Sequence, residues 1–260
     1  MPLTKTGIKR AFTAASSTYD SAAALQRRVG LELLKTIDAK LLSGTLLDIG
    51  CGTGFLTAEL IAQFKHDTTI ALDIAWTMLQ STQQKLALHQ HVHYVCADAE
   101  QLPFAEQCLD GVVSNLALQW CSDLDAVFTS IKRALIPGKP LVFSTFGPQT
   151  LSELKSAWAS VDSYQHVNSF YSEAELKQFL ATAGFNNIQM QSVCYRSRYP
   201  SVLALMQELK HLGAHHVVTG ANKQFTTKTA MQQMINTYEK QAVDKQIIAT
   251  FEVISITAMA

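Results

Sequence analysis

Leu46-Leu47-Asp48-Ile49-Gly50-Cys51-Gly52-Thr53-Gly54-Phe55-Leu56 is the stretch that decides the fold. A short apolar run contains one acid, meets three glycines spaced by two, and passes into a helical pattern. Strand, glycine turn and helix in that order present bare backbone to a nucleotide-like ligand at the carboxyl end of a strand. The glycines read G-x-G-x-G rather than the G-x-G-x-x-G of a dinucleotide site, and Asp48 stands just ahead of them. A pyrophosphate would be repelled by that carboxylate. An amino-acid head group bearing an ammonium would be attracted to it.

Strand and helix signals alternate outward from this stretch. Strands are expected at 45–49, 68–72, 92–96, 111–115 and 141–145, with helices at 55–64, 76–86, 124–135, 151–161 and 172–183. Residues 188–195 and 247–257 alternate like strands, and 200–212 and 226–240 between them read as helices. The expected fold is α/β: a doubly wound, mostly parallel, seven-stranded Rossmann-like sheet. We expect one domain, with an N-terminal helical cap over 1–40 and a cofactor-binding core over 41–199. A helical lid over 200–242 and a last strand over 243–260 complete it.

The chain has 260 residues, ample for a core, and its apolar content of 48% is ordinary for a globular protein. No apolar run approaches the roughly 20 residues of a spanning helix, so no membrane partner is expected. Met1–Thr6 lacks a secretory apolar core, which points to the cytoplasm. The cysteines at 51, 96, 108, 121 and 194 form no C-x-x-C pair, as reduced thiols would. His89, His91 and His93 alternate into a strand without an acidic or thiol partner, so no metal is expected. Net charge is zero but unevenly spread. Residues 1–35 and 196–240 are each about +4, and residues 36–195 are about −7. Two basic segments around an acidic middle suit an anionic partner, or else are solvated helix faces.

Three acids follow successive strands. Asp48 could orient the glycine loop or meet an ammonium through water; Asp73 could accept both hydroxyls of a ribose; Asp98 could accept the exocyclic amine of an adenine. Each alone could be a helix cap, but all three beside the glycine loop make a rim. Over roughly residues 40–150 the combination resembles the class I S-adenosylmethionine-dependent methyltransferases. The resemblance implies cofactor contacts at Asp48, Gly50, Cys51, Gly52, Asp73, Ile74, Met78, Asp98, Ala99, Asn115 and Leu116, and S-adenosylhomocysteine as product. Cys51 is read chiefly as packing. The turn Leu135-Ile136-Pro137-Gly138-Lys139 departs from the superfamily, which often has a second glycine there.

Longer strings narrow the acceptor. They are Phe12-x6-Tyr19-Asp20 with Leu25-Gln26-Arg27, Ser114-Asn115-Leu116-Ala117-Leu118-Gln119-Trp120-Cys121, Phe143-Ser144-Thr145-Phe146-Gly147, His166-Val167-Asn168-Ser169-Phe170 and Leu209-Lys210-His211-Leu212-Gly213-Ala214. Together they resemble the malonyl-acyl-carrier-protein O-methyltransferases of biotin synthesis over nearly the whole chain. That family methylates the free carboxylate of a malonyl thioester, which implies an acidic acyl carrier protein, or coenzyme A, as the acceptor's bearer.

The resemblance also assigns Tyr19 to the roof of the methyl-transfer pocket and Phe170 to its wall. Tyr19 and Gln26, seven apart, would share a helical face, which puts Gln26 among the expected substrate-binding residues. Trp120 reads as packing beside the acceptor. His166 and Asn168 could hydrogen-bond the acceptor or merely their own loop. Arg196 and Arg198, two apart on a strand, share a face and could hold a malonate oxygen or lie solvated. Lys9, Arg10, Arg27, Arg28, Lys210 and Lys223 are expected to dock the acidic carrier. No stacking platform or base pocket accompanies the basic groups, which disfavours a nucleic-acid substrate. A methyltransferase for another small carboxylate or a quinone precursor, and a noncatalytic cofactor-binding module, remain open alternatives.

Overall fold

The computed structural model describes residues 5–214, 226–242 and 244–260. The apolar run before the glycines is β1 (Thr45–Ile49), and its Leu46 and Leu47 are fully buried. A strand covered on both faces reads as a continuous apolar run, which is why this one was visible. It pairs in parallel with β2 (Thr68–Asp73) on one side and β4 (Gly111–Asn115) on the other. β3 (Val92–Cys96) and β5 (Pro140–Phe146) extend the parallel set. β7 (Ile247–Met259) runs antiparallel to β5 and to β6 (Asn186–Tyr199), which gives the order β3-β2-β1-β4-β5-β7-β6. Strand order reverses between β1 and β4, so the loops leaving them part company and open a crevice at the carboxyl edge.

Helices cover both faces. α3 (Ala24–Lys35) and α4 (Phe55–Gln63) bury Leu33, Leu34, Leu56 and Leu60 against Leu46, Val113 and Val142. On the other face α6 (Leu124–Ala134) and α8 (Glu173–Thr182) pack Phe128, Ile131, Leu176 and Leu180 against Leu47, Val112, Phe143 and Ile254. The start of α8 is set by a capping box between Ser172 and Glu175. α5 (Trp76–Lys85) lies along β2 and β3. A third apolar cluster joins α7 (Ser152–Ala159), α9 (Val202–His211) and α10 (Lys228–Glu239) to Ile247, Ala249 and Phe251 of β7.

The N-terminal helical stretch is broken in two places. It is three helices: α1 (Lys5–Ala15), α2 (Tyr19–Ala22) and α3. The first break falls where the Ser16 hydroxyl donates to Thr13 O and the Thr18 hydroxyl to Ala15 O, local bonds that compete with helix continuation. Ala23 then leaves helical geometry at φ −86, ψ 32. Tyr19 and Gln26 therefore do not share one helical face. β6 and β7 also run longer than their alternation suggested, because each pairs with the other from Asn186/Met259 to Tyr199/Ile247.

The link from β5 to α7 depends on a buried acid. Glu252 of β7 accepts from Gln149 N at 2.7 Å and the Ser192 hydroxyl at 3.0 Å, while its backbone carbonyl accepts from Gly147 N. A Cβ at Gly147 would stand 2.5 Å from the Glu252 carboxyl carbon. Gly147→Ala should displace that carboxylate and cost roughly 2–3 kcal/mol, lowering the melting temperature by roughly 5–10 °C in calorimetry. An unchanged melting temperature would show that Glu252 does not anchor the turn.

Candidate active site

The glycine loop is bent back onto β2. Gly50 N and Cys51 N both donate to Leu72 O, at 2.7 and 3.0 Å. Gly50, Gly52 and Gly54 have φ of 71°, 56° and 82°, in the left-handed region that disfavours a side chain. At Gly50 space forbids one as well, since a Cβ would lie 2.2 Å from that of Ala117. Asp73 closes the arrangement: one oxygen accepts from Gly52 N at 3.0 Å and the other from Ala75 N at 2.8 Å. Burial nonetheless pushes its carboxyl up to about 6, against the pull of those N–H groups. Each oxygen keeps a lone pair for a hydroxyl donor.

A cavity whose mouth is open to solvent lies over this loop. Its floor and walls include the expected Gly50, Gly52, Asp73, Ile74, Met78 and Asn115. The expected Asp98, Ala99 and Leu116 line it too, as do Tyr19 and Trp120. Three lining residues were not expected from the sequence. Lys5, Ile8 and Phe12 of α1 line the cavity, with Phe12 edge-on to Trp120 at 5.5 Å between ring centroids. Their spacing of three and four is the helical signal that could have found them.

A smaller cavity shares Tyr19, Gly50, Gly52 and Asn115 with the first, and adds Gln26, Arg27 and Asp48. Asp48 is fully buried; one oxygen accepts from the Thr57 hydroxyl at 2.6 Å, and the other has no hydrogen-bond partner among the described residues. Burial, opposed by Thr57 and reinforced by the Asp73 charge, raises its carboxyl to about 7. Gln26 Oε1 is likewise buried without a partner. Two orphaned acceptors beside a guanidinium fit a ligand end that carries both an ammonium and a carboxylate. Cys51 turns its thiol toward Thr82, packs with Ala71 and Leu79, and also lines the smaller cavity.

Other expected residues lie elsewhere. Phe170 packs edge-on against Phe146 and lines a separate small cavity behind Leu118 and Gln119. His166 is stacked on Trp158 at 3.7 Å and bonded to Asp162, so its ring belongs to the α7 cluster rather than to the cavity. Asn168 lies on the same stretch between α7 and α8 and lines neither cavity. Arg196 and Arg198 share a face of the edge strand β6, as their spacing required, but it is the exposed face, because Tyr195 and Tyr199 take the inward one. Arg27 donates to Asp20 O at 2.7 Å and lines the smaller cavity instead of an outer docking face. Lys223 lies outside the described residues.

The family model described as a methyltransferase domain matches residues 47–143. A malonyl-acyl-carrier-protein O-methyltransferase of a Methylovorus species is 38% identical over 257 residues, covering 96% of this chain and 87% of that protein. The chain belongs to the malonyl-acyl-carrier-protein O-methyltransferase family. The biotin biosynthesis bifunctional protein BioHC of Cellvibrio japonicus is 39% identical over 249 residues, 96% of this chain but about half (49%) of that longer protein. The fold matches phosphoethanolamine N-methyltransferase 2 of Haemonchus contortus, solved with S-adenosyl-L-methionine, at a TM-score of 0.62 and 18% identity, covering 95% of this chain and 57% of that one. As a member of this family the chain is an S-adenosylmethionine-dependent methyltransferase. Among the described residues no helix is long and apolar enough to cross a membrane, and no cluster of three or more acidic, His or Cys side chains could hold a metal.

The raised carboxyls give the site a pH dependence. A bound cation and hydroxyl donors favour the ionised forms of Asp48 and Asp73, so cofactor affinity should rise as pH passes upward through about 6 to about 7. For the ligand-free protein the sign is opposite: stability contributed by these groups is full below the ordinary carboxyl value of 3.8 and is lost as pH climbs from there to about 6 for Asp73 and about 7 for Asp48. Calorimetric titration from pH 5.5 to 8 should find affinity increasing by about tenfold, with the upper part of the rise flattened in Asp48→Asn. An unaltered profile in that variant would exclude Asp48 as the titrating group.

Proposed function

We propose that this enzyme transfers the methyl group of S-adenosylmethionine to the free carboxylate of a malonyl thioester on acyl carrier protein, giving the malonyl methyl ester that starts pimeloyl formation in biotin synthesis. The observation that carries the reading is end-to-end similarity, at 38% identity, to a protein named for that acceptor, and the biotin assignment follows the name of the bifunctional relative. The residues fit the cofactor in parts. Asp48, Gln26 and Arg27 suit its amino-acid end, Asp73 its ribose, and Asp98 with Ile74 and Ala99 its adenine.

When bound, the cofactor supplies an electrophilic methyl group on a cationic sulfonium. A malonyl carboxylate is already ionised near neutral pH, so no general base is needed. Tyr19 suits that chemistry. Burial first, and then the Asp73 charge, hold its phenol far above its ordinary range, so it stays protonated as a wall and hydrogen-bond donor. Lining both cavities, it stands where the two ends of the ligand meet. Trp120 and Phe12, edge-on to each other, add apolar lining to the same cavity, and a drier site favours a step that neutralises charge. Asn115 works as a clamp: its amide donates to Gln26 O at 2.9 Å and accepts from the Ser144 hydroxyl at 2.8 Å, tying α3 to the sheet.

Docking of an acidic carrier would draw on the exposed cations Lys9 and Arg10 of α1 and Lys210 of α9. These two helices are joined, since the Thr18 hydroxyl donates to His211 O and Gly213 abuts Ala11. Arg28 is exposed as well, stacked 4.9 Å above the Tyr195 ring.

Methyl transfer should occur with malonyl carrier protein and not with acetyl carrier protein; transfer to the acetyl form would sink the carboxyl-acceptor reading. Tyr19→Phe should lower kcat by about tenfold or more while cofactor affinity changes little. Reversing Lys9, Arg10 and Lys210 together to Glu should raise KM for malonyl carrier protein by about tenfold at low salt and leave KM for malonyl coenzyme A nearly unchanged. Equal effects on both acceptors would argue against docking at this face.

A further inference from the structure

We propose that Lys5 is a positioning residue that latches α1 over the adenine end of the cavity and sets the rate at which cofactor and product exchange. The proposal rests on the reading that the cofactor's adenine lies against Asp98. Lys5 Nζ lies 2.5 Å from Asp98 Oδ2 and 2.5 Å from Glu100 Oε2, so a single ammonium bridges both acids of the loop after β3. Hydrogen bonds to the two carboxylates hold the ammonium charged well above its ordinary range.

The rim is rigid and the lysine is the moving part. Asp98 Oδ1 accepts from Glu100 N at 2.9 Å. Glu100 Oε1 accepts from Ser122 N, the Ser122 hydroxyl and Asp123 N, which fixes it to the turn before α6. Lys5, by contrast, is 45% exposed at the first turn of α1. The far end of that helix is anchored, because Thr18 beyond it bonds to His211 O. Between the two ends Ile8 and Phe12 line the cavity together with Ile74, Ala99 and Leu118. A flat purine lying along this lining leaves faster when the first turns of α1 lift, and the Lys5 bridges resist that lift. Asp98 Oδ2 retains a lone pair beside Lys5, so an adenine amine can be accepted without breaking the latch. Two partly exposed ion pairs are weak enough to open on each turnover and are screened by salt.

Stopped-flow tryptophan fluorescence, on mixing enzyme with S-adenosylhomocysteine over a concentration series, gives both rate constants; Trp120 against Phe12 lies at the moving edge. Lys5→Met should raise association and dissociation rates by about tenfold each, with Kd changing much less. Raising NaCl from about 50 to about 500 mM should speed both steps in the wild type and not in Lys5→Met. Lys5→Arg should restore slow exchange and its salt response, which separates a latch from general damage to α1. Wild-type rates and salt response in Lys5→Met overturn the latch while leaving the cavity assignment intact. Absence of product binding to the wild-type protein would instead overturn the cavity assignment and the latch with it.

Discussion

The carboxylate of Asp73 organises the carboxyl edge of the sheet. By accepting from Gly52 N and Ala75 N it holds the glycine loop and the approach to α5 against the end of β2. Hydrogen bonds to a charged acceptor contribute about 1.5–3 kcal/mol each, yet the carboxyl is still pushed up to about 6 because burial outweighs them. The ligand-free site thus carries an electrostatic cost that hydroxyl donors and a nearby cation relieve. Binding and folding pull in opposite directions at this residue, as expected of a site shaped for a ligand rather than for stability.

Asp48 and Gln26 repeat the pattern. Each buries an acceptor oxygen with no protein partner among the described residues, an arrangement a core would not tolerate unless something else satisfied it. The two cavities meet at Tyr19, Gly50, Gly52 and Asn115, so an elongated ligand can span them with a purine at one end and an amino acid at the other. The N-terminal helices contribute to both ends, α1 as the roof over Asp98 and α3 through Gln26 and Arg27. Asn115, expected only as a contact, also fastens α3 in place through its bonds to Gln26 O and Ser144.

Much of this was legible in the chain. The bounds of β1, β3 and β4 match the reading: β1 and β4 are buried strands ended by a turn, and the part-exposed edge strand β3 is marked by Val92, Tyr94 and Val95, residue types that favour strands. The rim acids and glycines were legible because strand ends in a doubly wound sheet converge on one edge whatever the rest of the chain does. The misses share a cause: sequence spacing says which residues face the same way, and not what they face. Arg196 and Arg198 do share a face, but it is the solvent face of an edge strand. Arg27 looked like a free surface cation and is turned into a cavity by the break at Ala23. His166 looked available and is consumed by Trp158 and Asp162.

The sequence by itself determined the layered fold, the loop that bares its backbone, the acids around it and, through its likeness to a family, the cofactor and the expected acceptor. These are local properties, set by glycine torsions, apolar periodicity and the position of an acid relative to a strand end. Only the tertiary structure decided which side chains complete the site, because that depends on how separate elements close on one another. Lys5 reaches Asp98 and Glu100 across more than ninety residues of chain. Asp48 and Gln26 become orphaned acceptors of one cavity only when α3 packs over β4 and β5, beside β1. The Asp48–Gly54 stretch specified a place for a ligand, and the packing of α1 to α3 over it specified that ligand's surroundings.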